Sequence, residues 1–231
     1  MTTLPKIFIY KRERFLTKIE SDKLHSLLTL EEKNKINRFK NRMDAENFLI
    51  ARVMRRKLIA SLIGIVPEKL IFEVNKYGRP FLKFPRIKNF DFNLSHSEDY
   101  VVLVIADCPI GIDIEKIKPL DIKIAIDYFT EQELKYLDSY PVKRLERFYE
   151  LWALKESFIK AIGRGLSFPL KKINFECSKG RNIILRPKSA KGKWFFRIYE
   201  IDKNYKMAVC SNKNKFPQKI NFMNKNLMQL I

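Results

Sequence analysis

Apolar residues recur at helical spacing in two long stretches of the chain, residues 48–64 and 148–163, and each stretch ends at a glycine. An apolar stripe of this period predicts an amphipathic helix with one face in a core. A Thr-x-x-Glu segment lies ahead of each stretch, at residues 29–32 and 130–133. This spacing is typical of a capping box, in which hydroxyl and carboxylate each satisfy a free backbone N–H at a helix start. Two similar helical units are therefore expected.

Strand patterns follow the first helical unit. Residues 90–95 alternate between apolar and polar side chains, which predicts a half-buried strand. A polar turn at residues 95–99 leads into an apolar strand at residues 100–106, and a further strand begins at Gly111. Together these segments predict an antiparallel meander.

The same order of elements occurs twice, at an offset of about one hundred residues, and this indicates an internal duplication. We expect an α+β fold of two similar α+β halves, related by a pseudo-two-fold axis and separated by a cleft. The predicted N-terminal half covers residues 1–117 and the C-terminal half residues 118–231. Because one chain supplies both halves, a monomer is expected.

Composition adds a strong positive charge. The 231 residues include 46 Lys and Arg against 26 Asp and Glu, a formal net charge of +20. Such a surplus favours a polyanionic partner: nucleic acid, an anionic membrane, a polyphosphate ligand or an acidic protein. No apolar stretch approaches the roughly 20 residues of a membrane-spanning helix, and no secretory signal fits the first residues. Three cysteines without metal-ligand spacing favour a reduced, cytoplasmic protein.

Asp113 and Glu115 are two residues apart on a predicted strand, so their carboxylates lie on the same face. Two neighbouring carboxylates suit a hard cation such as Mg²⁺, which prefers oxygen ligands. A strand with a solvated acidic face is the more ordinary interpretation of this spacing. The spacing alone therefore does not establish a metal site.

The helix predicted at residues 148–163 carries charges along its apolar stripe. Lys155 occupies a position where the period requires an apolar side chain, and Glu156 and Lys160 lie at the edge of the stripe. A charge on an inward face needs a partner or a ligand, because burying an unpaired charge is costly. An exposed Glu156–Lys160 pair would explain those two residues but not Lys155.

His96 lies between Ser95 and Ser97, at the end of the strand that precedes Asp113 and Glu115. Its ring is either satisfied by the backbone of the turn or available to donate to a phosphate beside the two hydroxyls. Both interpretations stay open at the level of the residues.

Three segments taken together resemble one known family. FNLSHS (residues 92–97), GIDIE (111–115) and LWALKESFIK (151–160) resemble, in order and spacing, the signature of the 4′-phosphopantetheinyl transferases. The length and the two-half organisation are similar to the surfactin-synthetase (Sfp) type, not to the half-size, trimeric acyl-carrier synthase type. YKMAVC at residues 205–210 extends the resemblance over nearly the whole chain.

The resemblance implies transfer of 4′-phosphopantetheine from coenzyme A to a serine of an acyl or peptidyl carrier protein, with release of adenosine 3′,5′-bisphosphate. It implies that Asp113, Glu115 and Glu156 hold Mg²⁺, with Mn²⁺ as an alternative. Glu156 would also take the serine proton, and Lys160 would assist the leaving group. The implied contacts to coenzyme A are Lys35, Arg79, Ser95, His96 and Lys155.

The resemblance also divides the work between the halves. The first half is expected to contact the nucleotide and phosphates and to supply the first metal carboxylates. The second half is expected to supply the catalytic helix and the carrier-docking surface, including residues 163–169. Glu32 stands where the family has a lysine, which leaves the adenine-side contacts undefined. The +20 charge suits an acidic carrier, whether of fatty-acid, polyketide or nonribosomal-peptide synthesis, and explains the surplus without nucleic acid or membrane.

Two other functions compete with this interpretation. A nucleic-acid-binding module should show clustered basic and aromatic residues or a known reader motif, and the sequence has neither. A metal-dependent nuclease could use the Asp-x-Glu pair at a phosphodiester, but Ile117 stands where such sites commonly place a lysine.

Overall fold

The computed structural model describes residues 5–177, 183–186 and 192–223. The elements of the first half are, in order, β1 (Lys6–Lys11), α1 (Lys18–Ser26), α2 (Leu30–Ile36), α3 (Arg42–Ile63), β2 (Ile71–Val74), β3 (Pro80–Phe84), β4 (Asp91–Ser97) and β5 (Tyr100–Ala106). The second half continues with β6 (Ile110–Lys116), α4 (Ala125–Tyr128), α5 (Glu131–Asp138), α6 (Arg144–Ala161), β7 (Asn174–Cys177), β8 (Ile183–Arg186), β9 (Phe195–Tyr199), β10 (Tyr205–Ser211) and β11 (Ile220–Phe222).

Both predicted capping boxes are present. Thr29 caps α2 and Thr130 caps α5. In each box the glutamate three residues later accepts a hydrogen bond from the backbone N–H of the threonine. These short helices precede the long helices α3 and α6. A third capping box, which the sequence analysis did not single out, begins α1 at Thr17. Gly64 ends α3 in the left-handed region, with φ of 70°, as the glycine position predicts.

The two halves share one topology, which confirms the predicted α+β duplication. Each contains a strand, a capped short helix, a long helix, a hairpin and two further strands. The strands are ordered β1-β5-β4 in the first sheet and β6-β10-β9 in the second, and all of these pairs are antiparallel. The first sheet carries β11 in addition, parallel to β1.

The sheets pack face to face, and a long helix covers the outer face of each. Apolar side chains of β1, β5, β6 and β10 form the core between the sheets, with Ile9, Val102, Ile112 and Met207 fully buried there. A second core lies under α3 and a third under α6. Among the described residues, no helix is long and apolar enough to cross a bilayer.

Two tyrosines at equivalent positions of the two sheets are in contact with each other. Lys11 pairs with Tyr100 across the first sheet, and Lys116 pairs with Tyr205 across the second. The two tyrosine rings stand edge to face with centroids 4.6 Å apart. Each hydroxyl donates to an aspartate of the other half: Tyr100 to Asp202 at 3.2 Å and Tyr205 to Asp99 at 3.3 Å.

The structure divides the chain earlier than the sequence analysis did. Strand β6 pairs with β10 and therefore belongs to the second sheet, whereas the predicted boundary after residue 117 placed it in the first half. β11, near the end of the described chain, returns to the first sheet. Asp113 and Glu115 are thus carried by the second half, opposite a first-half strand.

Candidate active site

Strand β6 and helix α6 approach each other closely at Gly111. A Cβ atom at this position would lie 2.0 Å from the carbonyl oxygen of Ser157 and 2.5 Å from the backbone nitrogen of Ala161. Only a hydrogen atom fits there, so glycine sets the distance between strand and helix. Asp113 and Glu115 share this face of β6 with Gly111 because side chains alternate along a strand. The two carboxylates therefore face α6.

Asp113 lies at the centre of the site, with 2% of its surface exposed. Its Oδ1 accepts from the Lys160 ammonium at 2.5 Å and from the Ser95 hydroxyl at 2.8 Å. Its Oδ2 is buried and has no hydrogen-bond partner. Burial raises the pKa of Asp113 in spite of the opposing charge of Lys160. An unpaired buried carboxylate oxygen is costly, and it marks a place where a ligand would bind.

Two further carboxylates complete an acidic cluster. Burial and repulsion from Asp113 raise the pKa of Glu115 to about 7. Burial also raises the pKa of Glu156 to about 7, against the attraction of Lys160 and with repulsion from Asp113. Burial lowers the pKa of Lys160, but its carboxylate neighbours outweigh that effect and raise the pKa overall. One ammonium thus faces three carboxylates.

The donor set fits a hard divalent cation. Asp113, Glu115 and Glu156 offer carboxylate oxygens, the ligand type that Mg²⁺ prefers, and their combined charge exceeds that of Lys160. The unpartnered Oδ2 of Asp113 adds an available ligand atom. As the side chains stand, no group of three or more His, Cys, Asp or Glu residues in the described chain is closed around a metal position.

Ser95 and His96 lie on opposite faces of β4, since they are consecutive residues of a strand. The phosphate contact of Ser95 stays a prediction, and in this structure its side chain has other partners. Ser95 is buried, and its hydroxyl is already bonded to Asp113, to the Lys160 ammonium at 3.0 Å and to the N–H of Ile114 at 3.4 Å. His96 is exposed on the other face. The surrounding protein partly desolvates its ring, and this desolvation and the positive charge of Lys160 lower the pKa of His96.

A basic and aromatic surface lies on α2 and α3. Lys35 is exposed, and its ammonium lies 5.4 Å from the centroid of the Phe48 ring. The Arg52 guanidinium stacks over the same ring at 4.3 Å, and its charge also acts on His96. Lys35 borders an open groove of about 670 Å³ along α2. The predicted contacts of Lys35 and His96 therefore face solvent, where a phosphate could reach them.

The predicted phosphate contact of Lys155 is wrong. Its side chain is fully buried, and its ammonium donates to Glu133 at 2.8 Å and to the carbonyl oxygens of Leu170 and Ile173 at 2.9 and 2.8 Å. All three ammonium hydrogens therefore have acceptors inside the protein. Lys155 breaks the apolar stripe because it joins α6 to α5 and to the loop before β7.

Arg79 also differs from its predicted phosphate role. Its Nε donates to the carbonyl oxygen of Lys160 at 2.7 Å, at the C-terminal end of α6. One terminal nitrogen forms an ion pair with Asp91 at 2.8 Å and donates to the carbonyl oxygen of Ile110 at 3.0 Å. Arg79 thus connects the β2–β3 hairpin to α6 and to both β4 and β6.

Glu32 departs from the family pattern for a local reason. It closes the capping box of α2, and its carboxylate pairs with Arg55 at 2.7 Å and lies near Arg52 and Arg56. A lysine in its place would lose the capping bond and repel three arginines. Residues 163–169 follow α6 and contain an exposed leucine, Leu166; their part in docking stays a prediction.

The sequence analysis missed the structural roles of the residues that hold the site together. Gly111, Arg79 and Ser95 act through close approach or through contacts with residues far away in the chain. The signal that could have indicated the bonding of Ser95 and Ser97 to a neighbouring strand is the polar alternation of β4, where every second residue from Asp91 onward carries a hydrogen-bonding side chain.

The chain matches known proteins over most of its length. Residues 109–210 match the family described as 4′-phosphopantetheinyl transferase superfamily, and residues 17–108 match 4′-phosphopantetheinyl transferase, N-terminal. A 4′-phosphopantetheinyl transferase of Bacillus subtilis is 35% identical over 89% of this chain and 92% of its own length. The 4′-phosphopantetheinyl transferase Sfp of Bacillus subtilis strain 168 is 32% identical over 93% of this chain and 96% of its own. A holo-(acyl-carrier-protein) synthase of Bacillus anthracis, solved with coenzyme A (3′,5′-ADP), is 25% identical at a TM-score of 0.40, over 45% of this chain and 93% of its own.

Proposed function

The chain belongs to the 4′-phosphopantetheinyl transferase superfamily, and from this premise we propose that it transfers 4′-phosphopantetheine from coenzyme A to a serine of a carrier protein. The serine oxygen forms a bond to the phosphorus next to the pantetheine arm. The bond from that phosphorus to the bridging pyrophosphate oxygen breaks, and adenosine 3′,5′-bisphosphate leaves. The carrier changes from its apo to its holo form.

Asp113, Glu115 and Glu156 are the residues that would hold a divalent cation, either Mg²⁺ or Mn²⁺. When bound, the ion would neutralise pyrophosphate charge and polarise the phosphorus. The proposal is supported by the acidic cluster and by the free Oδ2 of Asp113. Ser95 holds the other oxygen of that carboxylate.

Glu156 is the proposed base that removes the proton from the carrier serine, directly or through water. Its pKa of about 7 lies near neutral pH, where a general base is most effective. On α6 it lies within the electrostatic reach of Asp113 and Lys160. Such base catalysis contributes roughly 10²–10⁴ in rate.

Lys160 is the proposed partner of the leaving phosphate. Its raised pKa keeps the ammonium charged, so it can donate a hydrogen bond to a phosphate oxygen. His96, on the other face of β4, and Lys35, on α2, are proposed to contact the nucleotide phosphates. His96 is exposed and lies within the field of the Lys160 charge, which supports a contact of its ring with an anion.

The carrier is proposed to be acidic, because a +20 enzyme attracts an acidic protein and coenzyme A through long-range fields. A monomer is proposed because both sheets and the residues of the site belong to one chain.

The buried cluster of Asp113, Glu115, Glu156 and Lys160 is the observation that carries the proposal. Intact-mass spectrometry of an apo carrier incubated with the enzyme, coenzyme A and Mg²⁺ tests it. A mass gain of one phosphopantetheine group that EDTA prevents is the expected result. An unchanged mass on fatty-acid, polyketide and peptidyl carriers alike, with folded enzyme, would overturn the proposal.

A further inference from the structure

Strands β4 and β6 lie side by side but are not paired through their backbones as strands of one sheet are. Side chains of β4 bond to the backbone of β6 instead. Four alternate side chains on one face of β4 accept hydrogen bonds from four backbone N–H groups of β6, at intervals of two residues on both strands. The pairs are Asp91 with Ile110 at 3.0 Å, Asn93 with Ile112 at 3.0 Å, Ser95 with Ile114 at 3.4 Å and Ser97 with Lys116 at 3.0 Å. We call this arrangement the β4–β6 ladder.

Two rungs of the ladder, the serines, also donate to a carboxylate of β6. The Ser95 hydroxyl donates to Oδ1 of Asp113 at 2.8 Å, and the Ser97 hydroxyl donates to Oε2 of Glu115 at 3.3 Å. A hydroxyl can do both because it has one hydrogen to donate and two lone pairs to accept. Each serine therefore fixes a carboxylate relative to the β6 backbone that carries it.

The bond from Ser95 also determines which oxygen stays available. Ser95 and Lys160 both bind Oδ1 of Asp113, and Oδ2 is left without a partner. Holding one carboxylate oxygen restricts rotation of the group and so orients the second oxygen. A ligand-binding carboxylate that is oriented in advance loses less conformational entropy when the ligand arrives.

We propose that Ser95 and Ser97 are positioning residues for a divalent-cation site formed by Asp113 and Glu115. The inference rests on the proposed function, in which these carboxylates bind the cation. The serines belong to the first half and the carboxylates to the second, so the ladder couples the docking of the two halves to the geometry of the site.

Asn93 provides the matched control. It is buried with 4% exposure and forms a rung to Ile112, but in the described part of the chain it makes no hydrogen bond to a carboxylate of the site. Asn93→Ala therefore removes a rung without removing a bond to Asp113 or Glu115. If the serines only hold the strands together, Asn93→Ala and the serine variants will change stability and Mn²⁺ affinity in the same way.

The test is the affinity for Mn²⁺ alone, measured by electron paramagnetic resonance of the free ion, together with urea unfolding of every variant. Ser95→Ala and Ser97→Ala are each expected to weaken Mn²⁺ binding about 10-fold or more, the usual effect of losing a partner of a metal ligand. Ser95→Thr and Ser97→Thr keep the hydroxyl and are expected to restore most of the affinity. Asn93→Ala is expected to lose stability and to keep the wild-type affinity within about twofold.

Wild-type affinity in both Ser→Ala variants, or an equal loss in Asn93→Ala, would overturn the inference. Ser97 is only half-buried, so Ser97→Ala keeps the test decisive if Ser95→Ala does not fold. A wild-type protein that transfers phosphopantetheine but binds no Mn²⁺ would reject the positioning role and leave the proposed function standing. A protein that binds Mn²⁺ through the serines but modifies no carrier would reject the function alone.

Discussion

At the scale of single residues, the site is a group of charged side chains whose burial together costs folding free energy. Asp113, Glu115 and Glu156 face a single ammonium, and burial raises the pKa of each carboxyl. The energy lost by confining these carboxylates is what a bound cation would recover. Like-charged groups held together in this way are typical of sites prepared for a ligand.

Replacing a glutamate of the site should stabilise the cation-free protein at high pH. The folded pKa of Glu115 and Glu156 is about 7, above the ordinary value of 4.5, so stability present at low pH is lost as the pH rises from 4.5 through 7. In EDTA, Glu115→Gln and Glu156→Gln should therefore raise the unfolding temperature relative to wild type more at pH 8 than at pH 5.

Differential scanning fluorimetry at the two pH values measures this effect. The exposed control Glu68→Gln should change the unfolding temperature equally at both. The same difference from wild type at pH 5 and pH 8 in the site variants would contradict the electrostatic account.

Lys155 should matter for stability and not for the binding of coenzyme A. Lys155→Met leaves Glu133 buried without its cationic partner, which should cost about 3–5 kcal/mol of unfolding free energy. Urea unfolding measures the loss, with the exposed Lys171→Met as the matched control. A stable Lys155→Met variant with a raised KM for coenzyme A would restore the phosphate contact that the structure rejects.

At the scale of elements, the pairing of β6 with α6 forms the site, and Gly111 sets their separation. The strand contributes Asp113 and Glu115, and the helix contributes Glu156 and Lys160. The β2–β3 hairpin holds the end of that helix through Arg79, whose guanidinium reaches the carbonyl oxygen of Lys160. The geometry of the site thus depends on contacts between elements that are distant in sequence.

Gly111→Ala should disrupt the site without altering any charged group. The added methyl would overlap the α6 backbone, so the helix must move away from β6, at a cost of about 1–3 kcal/mol or more. Transfer activity should fall at least about 100-fold, since small displacements of catalytic groups are expensive. Ile112→Val, on the opposite face of β6, should retain activity; a fully active Gly111→Ala would contradict the close approach.

Periodicity and capping patterns predicted the elements well because they are local properties. The helices at residues 48–64 and 148–163, the capping boxes at Thr29 and Thr130 and the duplicated order are all confirmed. Lys155 and Arg79 were misassigned because their partners lie far along the chain, 22 residues away at Glu133 and 81 away at Lys160. A sequence pattern shows that a buried charge needs a partner, but not which one it has.

At the scale of the whole molecule, duplication produced two similar frameworks of which one carries the acidic cluster. The sheet registers show which positions of the two halves are equivalent. Phe8, which lies opposite Leu103 in the first sheet, is equivalent to Asp113, which lies opposite Ala208 in the second. Tyr10 likewise stands where the second half has Glu115. The first half instead supplies the serines of the ladder.

The repeated framework also explains why Lys155 is structural. In the first half, Arg55 pairs with Glu32 of the α2 capping box, and Arg56 donates to carbonyl oxygens of the loop after α3. In the second half, a single residue makes both connections: Lys155 pairs with Glu133 of the α5 capping box and donates to carbonyl oxygens of the loop after α6. The same connection between capping box, long helix and following loop occurs in both halves.

The account depends most directly on transfer taking place at the acidic cluster that β6 and α6 form. The decisive measurement is the rate of phosphopantetheine addition to an apo carrier, followed by intact mass, for wild type, Asp113→Asn and Glu156→Gln. Circular dichroism should show both variants folded, and a carrier with alanine in place of its acceptor serine should stay unmodified. The account predicts a loss of at least about 100-fold in both variants. Wild-type rates in either folded variant would contradict it.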